Sequence, residues 1–313
     1  MKIGPDCLVC LVRQAVEAGR FLGLSDDVQQ VLVRSTLAHL AIRTWDVTAP
    51  EIAAETQEYL RNLSKNDDPY RSLKDSSTMI ALTLLPQWQQ QASMELDKLA
   101  WVLRLSAAGN LIDCGPTGSF QVEEITQRLH FALHQPFAHN DHEVFRQRLN
   151  HARSLLLTAD NAGELVTDRL MLEVIECMHP ELVITIMVRG GPVLNDVTRE
   201  EIALSGIPEH WHIIDTHTRF PGLPLHRCPI SVQEAFHQSD IVISKGQGNW
   251  ETLNETAHRG LFFLLTCKCP AVADALGVQA GSGVFVQAAN QPHSEAFPAS
   301  ECDSVGIQPR QDQ

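Results

Sequence analysis

The chain changes its hydrophobic period once, near Asn150, and that change limits the folds open to it. Before it, "VQQVLVRSTLAHLAI", "APEIAAETQEYLRNL", "SLKDSSTMIALTLLPQWQQ" and "MELDKLAWVLRLSAAG" place apolar residues three and four apart, the period of one helix face. Ser25-Asp26 precedes one segment, Thr48 stands near the start of another, and Gly109 closes a fourth, as helix caps do. After it, "SLLLTAD", "LVITIMVRG", "WHIID", "DIVISKG" and "LFFLLT" are apolar almost throughout and alternate with helix-like stretches such as "GELVTDRLMLEVIECM". Strands of this kind, separated by single helices, make a parallel sheet covered on both faces. The sequence therefore predicts a mainly helical domain over 1–150 and an α/β domain over 151–290, with "SGVFVQ" as a closing strand. Residues 291–313, rich in Pro, Ser and Gln, read as a flexible tail.

Charge narrows the partners. Lys and Arg number 24 against 38 acidic residues, a formal net charge of −14, so the long-range field repels nucleic acid and anionic membrane surfaces. A small phosphorylated substrate then needs local cationic help. Arg13 interrupts the apolar N-terminal stretch and no cleavage pattern follows, so a signal peptide is not expected. No run approaches the roughly 20 apolar residues of a membrane span. The reading is a cytoplasmic protein of unknown oligomeric state whose eight cysteines are reduced thiols. Cys7-x-x-Cys10 has metal or redox spacing, but no second such pair accompanies it, which favours two half-buried cysteines on a helix.

In an open α/β sheet, ligands collect beyond the carboxyl ends of the strands. Three polar clusters fall there: Asp160-Asn161-Ala162-Gly163-Glu164, "RGGPVLNDVT" with Asn195 and Asp196, and "SKGQGNWE" with Lys245 and Asn249. Carboxylate and amide oxygens are hard ligands suited to Mg²⁺ or Mn²⁺, so Asp160, Asn161 and Asp196 are the candidate metal ligands. Lys245 offers a point charge for phosphate, and Gly246 and Gly248 let backbone N–H groups approach an anion at a helix start.

Each cluster also has a plain reading. Asp160-Asn161 and Asn195-Asp196 suit helix caps and turns, and Gly246-x-Gly248 lacks the third glycine of a dinucleotide fingerprint. His134, His139 and His142 in "HQPFAHNDH" read as solvent-facing, and "DDPYRSLKD" at 67–75 as a charged loop entering a helix. The conjunction of the three strand-end clusters carries the functional reading.

The motifs "ADNAGELVTDRL", "RGGPVLNDVT", "SKGQGNWETL" and "CKCPAVADALGV", with "PDCLVCLVRQA", "NDDPYRSLK" and "AAGNLIDCG", resemble the damage-control phosphatase (ARMT-like) family, in its prokaryotic branch with an N-terminal Cys pair. The resemblance runs over about residues 1–286. It implies a helical domain packed on a Rossmann-like three-layer α/β/α domain, and hydrolysis of small phosphate esters with Mg²⁺, Mn²⁺, Co²⁺ or Ni²⁺. By motif match, Asp160, Asn161 and Asp196 would bind metal and Lys245 would contact phosphate. Glu164 joins Asp160 and Lys245 as a catalytic candidate, while Gly163, Asn195 and Asn249 join Lys245, Gly246 and Gly248 as substrate-binding candidates. One stretch departs from the family pattern: "DTHTRFPGLPLHRC", 215–228, stands where a small Thr-Gly-Ser type loop is usual.

Two nucleophiles fit a phosphatase: a metal-positioned water, or Asp160 itself through an aspartyl-phosphate. The Asp-x-Asp signature of haloacid dehalogenase phosphatases is absent, which disfavours the second. The other functional readings are a carboxyl methyltransferase using S-adenosylmethionine, for which "ADNAGEL" offers a single glycine, and a metal-dependent phosphometabolite binder without turnover. Serine-hydrolase, P-loop and kinase motifs are missing.

Overall fold

The computed structural model describes residues 1–112 and 122–291, with backbone alone at 122 and 123. Residues 292–313 of the expected tail, together with Cys114, lie outside the described residues. The strands are β1 (His139–Asn140), β2 (Ser154–Thr158), β3 (Val183–Val188), β4 (His212–Asp215), β5 (Ile241–Lys245), β6 (Leu261–Thr266) and β7 (Gly283–Gln287). They form one sheet in the order β1-β7-β6-β5-β2-β3-β4, parallel throughout except between β6 and β7. The expected mixed α/β fold with a mainly parallel sheet is what the chain adopts. Strand β1, inside "HQPFAHNDH", was not foreseen: two residues beside β7 carry too little pattern to read.

Strand order places the site. From β2 the chain moves outward through β3 to β4, then returns to lay β5 on the opposite side of β2. Segments leaving β2 and β5 therefore diverge, and a crevice opens beyond their carboxyl ends. Thr158 pairs with Ser244 in register, so Asp160 and Gly246, each two residues further on, come face to face.

Both sheet faces are covered, which explains the near-continuous apolar runs. Leu155 and Leu157 join the cluster containing Leu165, Met171 and Ile175 of α8 (Glu164–Met178) and Leu99, Val102 and Leu105 of α5 (Lys98–Gly109). Leu156, facing the other way, joins Phe236 of α10 (Ile230–Gln238), Trp250 of α11 (Gly246–Leu253) and Val272 of α12 (Pro270–Leu276). The three-layer arrangement follows from that alternation.

The helical half begins with α1 (Pro5–Phe21), α2 (Asp26–Ala41) and α3 (Ala49–Ser64). Thr48 caps α3: its side chain accepts from the Glu51 N–H while the Glu51 carboxylate accepts from the Thr48 N–H. Ser25 makes no such side-chain bond at α2. Helix α4 (Arg71–Met94) runs 24 residues through Pro86, at the cost of the donor for the Leu82 carbonyl. Helices α6 (Val122–His134) and α7 (His142–Leu149) complete this half. Residue 150 marks a change of pattern and no break in packing, because the largest apolar cluster draws on both halves and α5 lies against α8, β6 and β7. Among the described residues, no helix is long and apolar enough to cross a membrane.

Gly163 shows how tightly the halves meet. A Cβ added there would stand 2.8 Å from Ser77 Cβ and 3.0 Å from the Ser77 carbonyl carbon. Its φ of −67° suits any residue, so the constraint is contact and not backbone conformation. Gly163→Ala should lower stability by about 1–3 kcal/mol through forced separation of α4 from α8, read as a reduced denaturant midpoint at unchanged slope.

Candidate active site at the β2/β5 crevice

Asp160 and Asn161 leave β2 and meet the loop after β3. Asn161 bridges to Asp196, the Val197 N–H donates to the Asp160 carbonyl at 2.8 Å, and the Ala162 N–H donates to the Asn195 carbonyl at 3.0 Å. The three oxygen-bearing residues read from distant parts of the sequence thus stand on two adjoining segments. The capping alternative does not describe them. Helix α8 has Gly163 as its N-cap with no side-chain cap bond, while the Asn161 amide donates to Asp160 Oδ2 at 3.1 Å and Glu164 Oε2 at 3.5 Å. With its nitrogen so used, the side-chain atom Asn161 could offer to a cation is its carbonyl oxygen.

Gly246 has φ +74°, and a Cβ there would lie 1.9 Å from Asp160 Oδ2. The β5–α11 turn therefore needs glycine twice, for conformation and for approach. Gly248 is pressed instead on the Pro221 carbonyl oxygen, 2.6 Å from its would-be Cβ. Asn249 is fully buried, and its amide donates to the carbonyls of Lys245 (2.7 Å), Ala159 (3.1 Å) and Thr158 (3.3 Å). That side chain braces the ends of β2 and β5 against each other. Gly163 packs on Ser77, and the Asn195 backbone carbonyl supports Ala162.

Lys245 is placed differently from the sequence expectation of a phosphate contact. Its ammonium is sealed from solvent, with Ser106 Oγ at 2.6 Å, the Ser106 carbonyl at 2.7 Å, Glu164 Oε1 at 2.8 Å and Asp168 Oδ1 at 2.9 Å. Burial alone would lower its pKa; Asp168 and Glu164 outweigh that and raise it. The lysine is a fixed counter-ion for two carboxylates one turn apart on α8.

Four participants were not singled out from sequence. Arg189, 1% exposed, donates through Nε to Asp196 Oδ2 at 2.6 Å and through Nη2 to Asn249 Oδ1 at 3.0 Å. Asn110 donates to Asp160 Oδ2 and Glu164 Oε2, both at 3.1 Å. Asp168 accepts from Ser106 Oγ at 2.6 Å. Asn110 sat inside the quoted "AAGNLIDCG" and Arg189 opened "RGGPVLNDVT", so the motifs contained the signal, but an isolated Asn or Arg has no spacing that marks it.

The charges in this pocket do not balance. Asp160, Glu164, Asp168 and Asp196 bring four carboxylates, and Lys245 and Arg189 bring two buried cations, while the exposed Lys268 donates to the Asn110 carbonyl at 3.0 Å and acts on Asp160 from the rim. Fully ionised, the six interior groups would carry −2 in a poorly hydrated environment, a costly state unless a cation such as Lys268 or a bound ion, or protons, compensate. Asp160 accordingly has its pKa raised well above the usual carboxylate range, first by burial, then by Asp196 and Glu164. Asp168 is pushed up to about 6, chiefly by burial. The Asp160 side chain keeps 13% of its surface exposed against 1–4% for the other three carboxylates, so the cluster opens to solvent at Asp160.

A loop walls the opening. After β4, His217 and Thr218 lie on Gly190, Arg219 on Gly191, and Gly222 on Gly248, so the segment crosses from the edge strand to the start of α11. Arg219 is tied to Asp67, between α3 and α4, at 2.6 and 3.1 Å. Leu194 (φ 48°) and His217 (φ 54°) both hold left-handed backbone beside this wall, a strain of about 1–3 kcal/mol each that tends to gather at functional sites.

Other candidates do not gather. His139 Nε2 contacts the Leu276 carbonyl, His134 Nδ1 the His130 carbonyl, and His142 Nε2 the Glu143 carboxylate. Cys7 is buried on α1, its thiol pushed up chiefly by burial, and Cys10 is partly exposed. Among the described residues no three His, Cys, Asp or Glu side chains converge as a ready cage; the candidate ligand set is two carboxylates and an amide.

Both the sequence and the fold have counterparts among known proteins. The damage-control phosphatase ARMT1-like domain matches residues 3–284. A damage-control phosphatase of Pyrococcus horikoshii is 29% identical over 293 residues, covering 92% of this chain and 98% of that protein. One from Archaeoglobus fulgidus is 27% identical over 288 residues, with coverage of 91% and 98%. An uncharacterized protein of Methanocaldococcus jannaschii is 29% identical over 296 residues, with coverage of 92% and 96%. The crystal structure of a DUF89 family protein from P. horikoshii superposes with a TM-score of 0.83 at 28% identity, covering 92% of this chain and 99% of that one.

The raised Asp168 has a consequence for stability. With a folded pKa of about 6 against an ordinary 3.8, the folded chain holds more protons than the unfolded one between those values. This group therefore subtracts stability as pH rises through that window. Asp168→Asn removes the effect, so in chelator the stability of the variant relative to the parent should climb between about pH 4 and pH 6 and then level off. Thermal unfolding of both proteins across that range tests it; a difference that stays flat or declines would contradict the assignment.

Proposed function

Since the chain belongs to the damage-control phosphatase ARMT1-like family, we propose that it is a metal-dependent phosphatase acting on small phosphomonoesters, sugar phosphates or damaged phosphometabolites, in metabolite damage control. The observation that supports the metal is the unbalanced charge: four carboxylates and two buried cations leave a negative excess that the exposed Lys268 offsets only from the rim and that a divalent ion would offset directly. The donors fit such an ion. Asp160, Asn161 and Asp196 would hold it through hard oxygens, the preference of Mg²⁺ and Mn²⁺, with Co²⁺ and Ni²⁺ also admitted by the family resemblance. When bound, the ion would supply neutralisation of phosphoryl charge and a more acidic water.

The chain's own residues do the positioning. Arg189 orients Asp196, Asn110 and Asn161 orient Asp160 and Glu164, and Asn249 keeps the β2 and β5 ends at fixed spacing. Orientation set before substrate arrives lowers the barrier without reorganisation at the moment of reaction. The first turn of α11 begins against Asp160, and its N–H groups, which lack helical acceptors, would take the phosphate. Lys245 acts behind them by holding Glu164 and Asp168. Selection among esters is assigned to the wall formed by 216–223, within the stretch that departs from the family's usual loop.

Asp160→Asn separates chemistry from folding. It deletes a buried charge that the protein compensates poorly, so metal-free thermal stability should hold or rise. Phosphatase activity on a panel of phosphate esters with divalent ions should fall by on the order of 100-fold, the scale of losing one electrostatic partner of a transition state. A folded Asp160→Asn protein that hydrolyses esters at the parental rate would remove the metal assignment.

A further inference from the structure

The motif "NDDPYRSLK" is not used by the chemistry above, yet it holds an ion triad. Lys74 Nζ lies 2.7 Å from Asp68 Oδ2 and 2.8 Å from Glu201 Oε1, with the Lys74 side chain 0% and that of Glu201 1% exposed. Glu201 belongs to α9 (Arg199–Leu204), six residues long, and its other oxygen, Oε2, accepts from Thr198 N at 2.8 Å and Thr198 Oγ1 at 2.6 Å. Burial would raise the Glu201 pKa, but the Lys74 and Thr198 hydrogen bonds bring it below the ordinary value. Thr198 bridges to Arg189, the residue that grips Asp196. An unbroken chain of contacts therefore runs from α4 to Asp196.

One turn of α4 touches both ligand-bearing segments. Ser77, three residues after Lys74 and on the same helix face, packs on Gly163 in the turn that follows Asp160 and Asn161. Lys74 fixes the end of the segment that carries Asp196. A buried triad is weak grounds for a stability role, because apolar replacements often serve as well. Its use here is geometric: both Glu201 oxygens are committed, so the entry to a helix too short to hold itself is set by α4.

We propose that Lys74 is a positioning residue, which through Glu201 and Thr198 sets Asp196 against Asp160 and Asn161. This rests on the reading of those three residues as metal ligands. The test compares the parent, Glu201→Gln and the double variant Lys74→Met/Glu201→Gln, which leaves no unpaired lysine. Mn²⁺ affinity is read by calorimetry, stability by thermal unfolding, and kcat and KM with one phosphomonoester. The double variant should unfold near the parental temperature, bind Mn²⁺ about 10- to 100-fold more weakly and lose kcat while KM holds. Parental Mn²⁺ affinity and kcat in the folded double variant would overturn the proposal. Should the double variant fail to fold, Glu201→Gln, whose amide oxygen still serves Thr198, decides by the same two quantities. A parent that binds no Mn²⁺ overturns the metal reading and this inference together, whereas binding that the variants leave unchanged overturns this inference alone.

Discussion

Four carboxylates are concentrated in the crevice beyond β2 and β5, from the loops after β2 and β3 and the first turns of α8, and the architecture around them answers that repulsion. Two buried cations, Lys245 and Arg189, sit among them, and three amides, Asn110, Asn161 and Asn249, spend their hydrogen bonds on the carboxylates, the arginine or the strand ends. Each brace holds a charge in place while leaving the total negative. An interior that retains that excess is expensive for folding alone, and raised carboxylate pKa values at Asp160 and Asp168 offset part of it; a bound cation, as proposed, would offset it as well.

The helical half exists in this structure as part of that site. Helix α5 supplies Ser106 to Lys245 and Asp168, and the turn after it supplies Asn110. Gly109, where a Cβ would meet Thr167 Oγ1 at 2.2 Å, lets α5 close on α8. Helix α4 adds Ser77 and Lys74. A two-domain description by pattern is therefore incomplete as physics: the α/β half provides the strand ends, and the helical half fixes the side chains that emerge from them.

Much of this was legible in the primary structure, for definite reasons. Burial on both faces makes strands such as Leu261–Thr266 continuous in apolar character, and a polar residue that ends such a run has to have partners, which is how Asp160, Asn161 and Asp196 stood out. Side chains whose role depends on the third dimension were not legible. Lys245 looks in sequence like an exposed cation in a glycine-rich loop, but it is the last residue of a central strand, and its side chain turns into Glu164 and Asp168. Asn110 acts across 50 and 54 residues of chain, and Arg189 follows an apolar run much as any strand-terminating residue does. Distance along the chain, not chemistry, hid them.

The departing stretch at 215–228 follows the same logic from the outside. Its first residues contact glycines at 190, 191 and 248, the three places where its neighbours have no side chain to hold it off. The wall can thus change in sequence without disturbing the carboxylate cluster beneath, provided those glycines remain. Its charged ties are Arg219 to the 71%-exposed Asp67, a solvent-screened pair worth little to stability, Asp215 to Arg199, and His226 and Arg227 to Glu51. A charge-fixed floor lies under a wall whose Leu223 packs into the core with Leu156 and Trp250, and on the proposed function the altered stretch would bear on what is bound rather than on what is done.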